Sequence, residues 1–173
     1  MGATGTVTGE RADILQTLAK HRHFLRYTAR DLTDEQAARQ TTVSQLSVGG
    51  LIKHVTAVER QWSRFIVEGA AAIPGWQDEA AMQAYADGFR MLPGETLDGL
   101  LAEYESVARA TDELAESVPD LDAAHALPEA PWYEKGASWS VRRVLLHVIA
   151  ETSQHAGHAD IIRESLDGAK TMG

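Results

Sequence analysis

Glu151 and His155 stand four residues apart in a segment of helical periodicity, and His54 lies far upstream in another. Positions i and i+4 sit one turn apart on a helix, so a carboxylate and an imidazole at that spacing can reach one shared partner. Each of the three interrupts an apolar stripe, where an ionisable side chain is costly unless something compensates it. Two compensations are open. Each group could find its own hydrogen-bond partner, as a single core histidine usually does, or one divalent metal could serve all three. Two imidazoles and one carboxylate leave a fourth position on a tetrahedral metal, the arrangement of catalytic sites. Such a site supports hydrolysis by a bound water of lowered pKa, or deprotonation of a bound thiol.

The neighbours of these residues extend the pattern. On a wheel of about 100° per residue with His147 at the origin, Glu151 falls at about 40°, His155 at about 80° and His158 at about 20°, with Val144 and Ile162 at about 60°. One helix face therefore reads His-x3-Glu-x3-His-x2-His with aliphatics at both ends. His54 follows Leu51 by three residues and precedes Val58 by four, so it points where they point. His147 and His158 are the candidate catalytic groups, orienting a ligand or relaying a proton. Trp62 and Arg163 are candidates for binding a cosubstrate or an anionic substrate, although Trp62 and Trp139 also suit a core. Glu151 could instead pair with Arg142 or Arg143, but eight or nine residues is a poor helical spacing for that. His21, His23 and His125 share no such arrangement and are expected at the surface.

Four long helical patterns must position these groups. The first runs from about Glu10 to Ala29 on Ile14, Leu15, Leu18, Phe24 and Leu25. The second follows Ser47, a good N-cap, and carries Leu51, Val55, Val58, Trp62 and Phe65 to about Glu68. The third follows Thr96, with Leu97, Leu100, Leu101, Tyr104 and Val107 on its stripe, and ends near Pro119. The fourth is capped by Ser140 and runs to about Leu166, where Gly168 stops it. No run of period-two alternation competes with them, so the fold class is all-α, a four-helix bundle with long connections. Those connections span 30–46, 69–95 and 120–139, the middle one holding a short helix near Asp78–Ala86. Loops of that length in a small domain are commonly functional. The last pairs prolines with Trp132, Tyr133 and Trp139, and is expected to pack over one end of the bundle. The organisation expected is a frayed segment 1–9, a single domain 10–168 and a tail 169–173.

Composition narrows the chemistry. With 173 residues the chain can bury a full core, and with no cysteine it can supply neither a thiolate ligand nor a thiol nucleophile of its own. A formal net charge of −9 argues against nucleic acid as the ligand, and no apolar run is long enough for a membrane span. The first eight residues have no basic start or apolar centre of an export signal, so the cytoplasm is the expected compartment.

The segment Trp139–Glu164 (WSVRRVLLHVIAETSQHAGHADIIRE) resembles the last helix of the DinB-like metalloenzyme superfamily. Ser47–Val55 (SVGGLIKHV), with Glu59 and Trp62, is similar to that family's second helix. The resemblance covers nearly the whole chain. Many members use three histidines; here Glu151 stands at the first position of the His-x3-His pair. The His, Glu, His version looks like the branch of the mycothiol-dependent maleylpyruvate isomerase N-terminal domain and of small actinobacterial DinB thiol S-transferases. The resemblance implies His54, Glu151 and His155 as metal ligands, and a homodimer. Zinc is the first expectation for the metal, while nickel, iron or manganese also suit imidazole and carboxylate. It further implies a metal-dependent transferase that activates a low-molecular-weight thiol, of the mycothiol kind, for attack on a small electrophile in detoxification or stress response. The alternatives are a metal-dependent hydrolase or isomerase of a small molecule, and a non-catalytic binding module stabilised by its metal.

Overall fold

A computed structural model describes residues 8–75 and 78–171. Helix α1 covers Glu10–Thr28 and is followed by a short α2, Asp34–Ala38. Then come α3, Val48–Glu68, a 3-10 turn at Gly69–Ala72, and α4, Glu79–Asp87. Helix α5 covers Leu97–Ser117, strands β1 and β2 cover Ala124–Ala126 and Ser138–Ser140, and α6 covers Val141–Asp167. Residues 1–7 of the segment expected to be frayed, and 172 and 173 of the expected tail, lie outside the described residues.

Helices α3, α5 and α6 begin where short polar side chains satisfy otherwise unpaired N–H groups. Ser47 Oγ accepts from the Gly50 N–H at 3.2 Å, Thr96 Oγ from Gly99 at 3.2 Å, and Ser140 Oγ from Arg143 at 3.1 Å. Gly168, at φ 79°, takes the left-handed conformation that ends α6. α1 packs along α6, α6 along α3, α3 along α5, and α5 returns to α1, which closes a four-helix bundle. The class is all-α, with one small departure. β1 and β2 form an antiparallel ladder pairing His125 with Trp139, inside the connection expected to be a loop. Among the described residues no helix is long and apolar enough to cross a membrane.

Two apolar clusters fill the bundle, one at each end. One contains Leu25, Leu51, Ile52, Val55, Leu100, Ala156 and Ile162; the other contains Ile14, Leu18, Trp62, Phe65, Val144, Leu145 and Val148. Between them each helix changes to polar residues at the same level. Arg22 from α1 pairs with Glu59 from α3 at 2.5 Å and with Asp112 from α5 at 2.7 Å, and Thr152 of α6 is buried at the same height. Glu151 is next to Thr152, and His54 lies just over one turn before Glu59. The break in the apolar core therefore coincides with the residues singled out by their chemistry.

Candidate metal centre

His54 enters from α3, and Glu151 and His155 from α6, at the seam where the two helices pack. One donor atom from each lies within 4.8 Å of the other two. Glu151 is central: its Oε2 is 3.5 Å from His155 Nε2 and its Oε1 is 3.6 Å from His147 Nε2. The three differ in exposure. His54 is buried at 4 % exposure, while the side chains of His155 and Glu151 keep 12 % and 27 %. The arrangement is closed on the α3 side and open along α6. Neither arginine weighed as a partner of Glu151 takes that role: Arg142 pairs with Glu10 and Asp122, and Arg143 lies over the Trp139 ring at 4.9 Å.

The protonation states suit a cation. Burial, helped by the neighbouring His155, pushes His54 down to about 4 despite the opposing pull of Glu151, so its imidazole is neutral at pH 7. The hydrogen bond with His155 holds the Glu151 carboxyl below its ordinary range, against the effect of burial. A neutral imidazole and an ionised carboxylate are the forms that ligate metal. With no thiolate in the chain, this nitrogen and oxygen donor set fits a divalent cation such as zinc.

Around the triad the two remaining histidines of α6 occupy distinct positions. His158 Nδ1 lies 3.3 Å from His155 Nδ1, so one ring must present N–H and the other a lone pair. In the metal-free protein His155 Nε2 donates to Glu151, whereas ligation through Nε2 would place the proton on Nδ1, where His158 accepts it. His147 lies on the opposite side of Glu151, its ring edge-on to both Trp62 and Trp139 at 5.0 Å. Burial lowers its pKa, Glu151 opposes this, and the positive charge of Arg143 adds to it.

Trp62 and Arg163, candidates for ligand binding, have other surroundings. Trp62 keeps 7 % exposure and stacks on Trp139 at 4.6 Å, so Trp139 covers the face it could offer. Arg163 is buried at 5 % exposure. It donates to the Thr28 and Arg30 carbonyls at 2.8 and 2.6 Å and to Asp167 at 2.9 Å, tying the end of α1 to the end of α6. A cation at a helix C-terminus is a stabilising placement, and these partners take its Nε and Nη1 donors. Of the histidines expected at the surface, His125 is exposed, yet its Nε2 is 3.1 Å from the Ile66 carbonyl, which fastens the hairpin to the end of α3.

Sequence patterns did not reveal the aromatic wall beside His54, and they marked the second, beside His147, only as a loop rich in proline and aromatics. On one side Phe89 stacks on the His54 ring at 4.0 Å, with Tyr85 edge-on at 5.8 Å. On the other, Tyr133 meets Trp139 at 6.1 Å, and its loop bends around a hollow of about 400 Å³ lined by Leu127, Pro128 and Pro131. The spacing of Met82, Tyr85 and Phe89 was the available signal for the first wall, since it places three bulky groups on one helical face. For the second, strands of three residues are too short to show a period.

A conserved protein from Enterococcus faecalis, known from its crystal structure, shares this fold with a TM-score of 0.64 at 14 % identity. The alignment covers 94 % of this chain and 100 % of that one. No curated protein sequence matches the chain. The family model for mycothiol S-transferase matches residues 13–168, including both helices that supply the triad and the hairpin beside it. The chain belongs to the mycothiol S-transferase family, a DinB-like family.

Proposed function

We propose that His54, Glu151 and His155 hold a divalent metal, zinc in the first instance, at which a low-molecular-weight thiol of the mycothiol type is activated for transfer to a small electrophile. The observation that carries this reading is the convergence of two imidazoles and one carboxylate from two helices within 4.8 Å, with the α6 side open. Membership of the family supports the thiol as cosubstrate. A metal bound there would favour the thiolate form of an added thiol, because a coordinating thiol is deprotonated.

The chain's own residues do the rest. His147 Nε2, beside Glu151 and neutral at pH 7, accepts the proton that the thiol gives up. Glu151 stabilises the imidazolium that results, and His158 keeps His155 in the tautomer that presents Nε2. Trp139 and Tyr133 offer an apolar surface to the electrophile, and the Arg143 guanidinium above Trp139 favours one that carries negative charge. In this reading the two rings take the task expected of Trp62, and Arg143 that expected of Arg163. The same reading includes a homodimer in the cytoplasm and a role in detoxification or stress response.

The test is a conjugation assay with zinc-loaded protein, a bimane electrophile, and mycothiol, bacillithiol or glutathione in separate reactions. Metal-dependent conjugation is expected with mycothiol. Failure with every thiol would sink the proposal, and metal-dependent consumption of an electrophile without thiol would favour a hydrolase instead.

A further inference from the structure

A histidine that binds metal is usually oriented by a hydrogen bond from its second ring nitrogen to a carboxylate, carbonyl or water. On α6, His155 has such a partner in His158. His54 on α3 has none among the described residues. Its contacts there are rings: Phe89 at 4.0 Å and 21° between planes, His155 at 4.8 Å and Tyr85 at 5.8 Å. Phe89 is thus the group that lies flat against the His54 ring, and it fixes both the tilt and the plane of the imidazole.

The chain holds Phe89 there by a notch in α3. A Cβ on Gly50 would stand 2.0 Å from the Phe89 carbonyl oxygen and 2.5 Å from its carbon, so only glycine lets the two backbones meet. A Cβ on Gly49 would lie 2.3 Å from the Met91 sulfur. Lys53, next to His54, secures the same segment by pairing with Glu95 at 2.6 Å and donating to the Arg90 carbonyl at 3.4 Å. Two glycines in succession near the start of a helix call for a packing reason, and these approaches supply it: Gly50 admits the Phe89 backbone and Gly49 the Met91 side chain.

The geometry points to Phe89 as a positioning residue for the metal centre: with its backbone seated against Gly50, it orients His54 by stacking where a polar partner would otherwise do so. This rests on the metal reading proposed above. The probe is Co²⁺, whose visible absorption reports ligand geometry, with affinity measured by competition against a chromophoric chelator. Phe89→Leu keeps apolar bulk but loses the flat ring. It is expected to weaken Co²⁺ binding about 10- to 100-fold and to shift the absorption bands, while the melting temperature of the metal-free protein moves little. Phe89→Tyr restores the ring and should recover both affinity and spectrum. Gly50→Ala, which pushes the Phe89 backbone away, should reproduce the Phe89→Leu spectrum.

Wild-type affinity and spectrum in both Phe89→Leu and Gly50→Ala would overturn the inference. If Phe89→Leu folds poorly, Gly50→Ala and the recovery in Phe89→Tyr decide it. His54→Ala separates the two layers of the argument. Loss of binding there beside unchanged Phe89→Leu refutes the positioning role alone, whereas unchanged binding in His54→Ala refutes the metal reading and this inference with it.

Discussion

At Glu151 one carboxylate faces two imidazoles, His155 at 3.5 Å and His147 at 3.6 Å, and a third imidazole, His158, backs the first. Removing such a backing partner typically weakens metal affinity about 10- to 100-fold. His158→Phe should do so in a chelator competition, and unchanged affinity would exclude a role for the Nδ1 contact. Protons compete for the same groups. In metal-free protein burial holds His54 down to about 4 and lowers His147, whereas in the unfolded chain both titrate near the ordinary 6.5. The unfolded state then binds more protons across that window. The stability these imidazoles carry is therefore full above about pH 6.5 and is lost as pH falls toward 4. Glu151, also lowered, adds a loss of the same sign at more acidic pH. Urea midpoints of chelator-treated protein should fall between pH 7 and 4.5. His54→Gln should flatten that decline, and an equally steep profile in the variant would contradict the assignment.

At the scale of elements, the polar layer between the two apolar clusters joins α1, α3 and α5 through Arg22, Glu59 and Asp112. Breaking a buried ion pair by removing one partner typically costs about 3–5 kcal/mol. Glu59→Ala should destabilise the fold toward the lower end of that range, because Asp112 remains to pair with Arg22. A urea denaturation curve showing a loss below about 1 kcal/mol would mean that the pair does not hold the layer. The helices that carry the triad were legible in the sequence, since stripes and caps such as Ser47, Thr96 and Ser140 depend on neighbours in the chain. α2 and the β1–β2 pair were not, being five and three residues long. The stack of Phe89 on His54 was also hidden. It needs a backbone approach between Gly50 and Phe89, which no periodicity encodes.

For the whole molecule, a metal that binds the folded state alone stabilises it by mass action, about 2.7 kcal/mol at a free concentration 100 times Kd. For a domain of this size that corresponds to a rise in Tm of roughly 5–10 °C. Thermal melts with increasing zinc should show this rise in the wild type and not in Glu151→Ala; equal rises in both would place the metal elsewhere. The wheel positions of Glu151 and His155 and the stripe position of His54 made the triad readable before any fold was known. The surroundings of the triad were less readable. Trp139 meets His147 from the hairpin, and Arg163 looked available until its Nε and Nη1 were found on Asp167, Thr28 and Arg30. The central claim, one metal on three side chains, is tested most directly by elemental analysis of purified wild type beside Glu151→Ala and His155→Ala. One equivalent of metal per chain is predicted for the wild type and almost none for either variant. Stoichiometric metal retained by both variants would contradict the account.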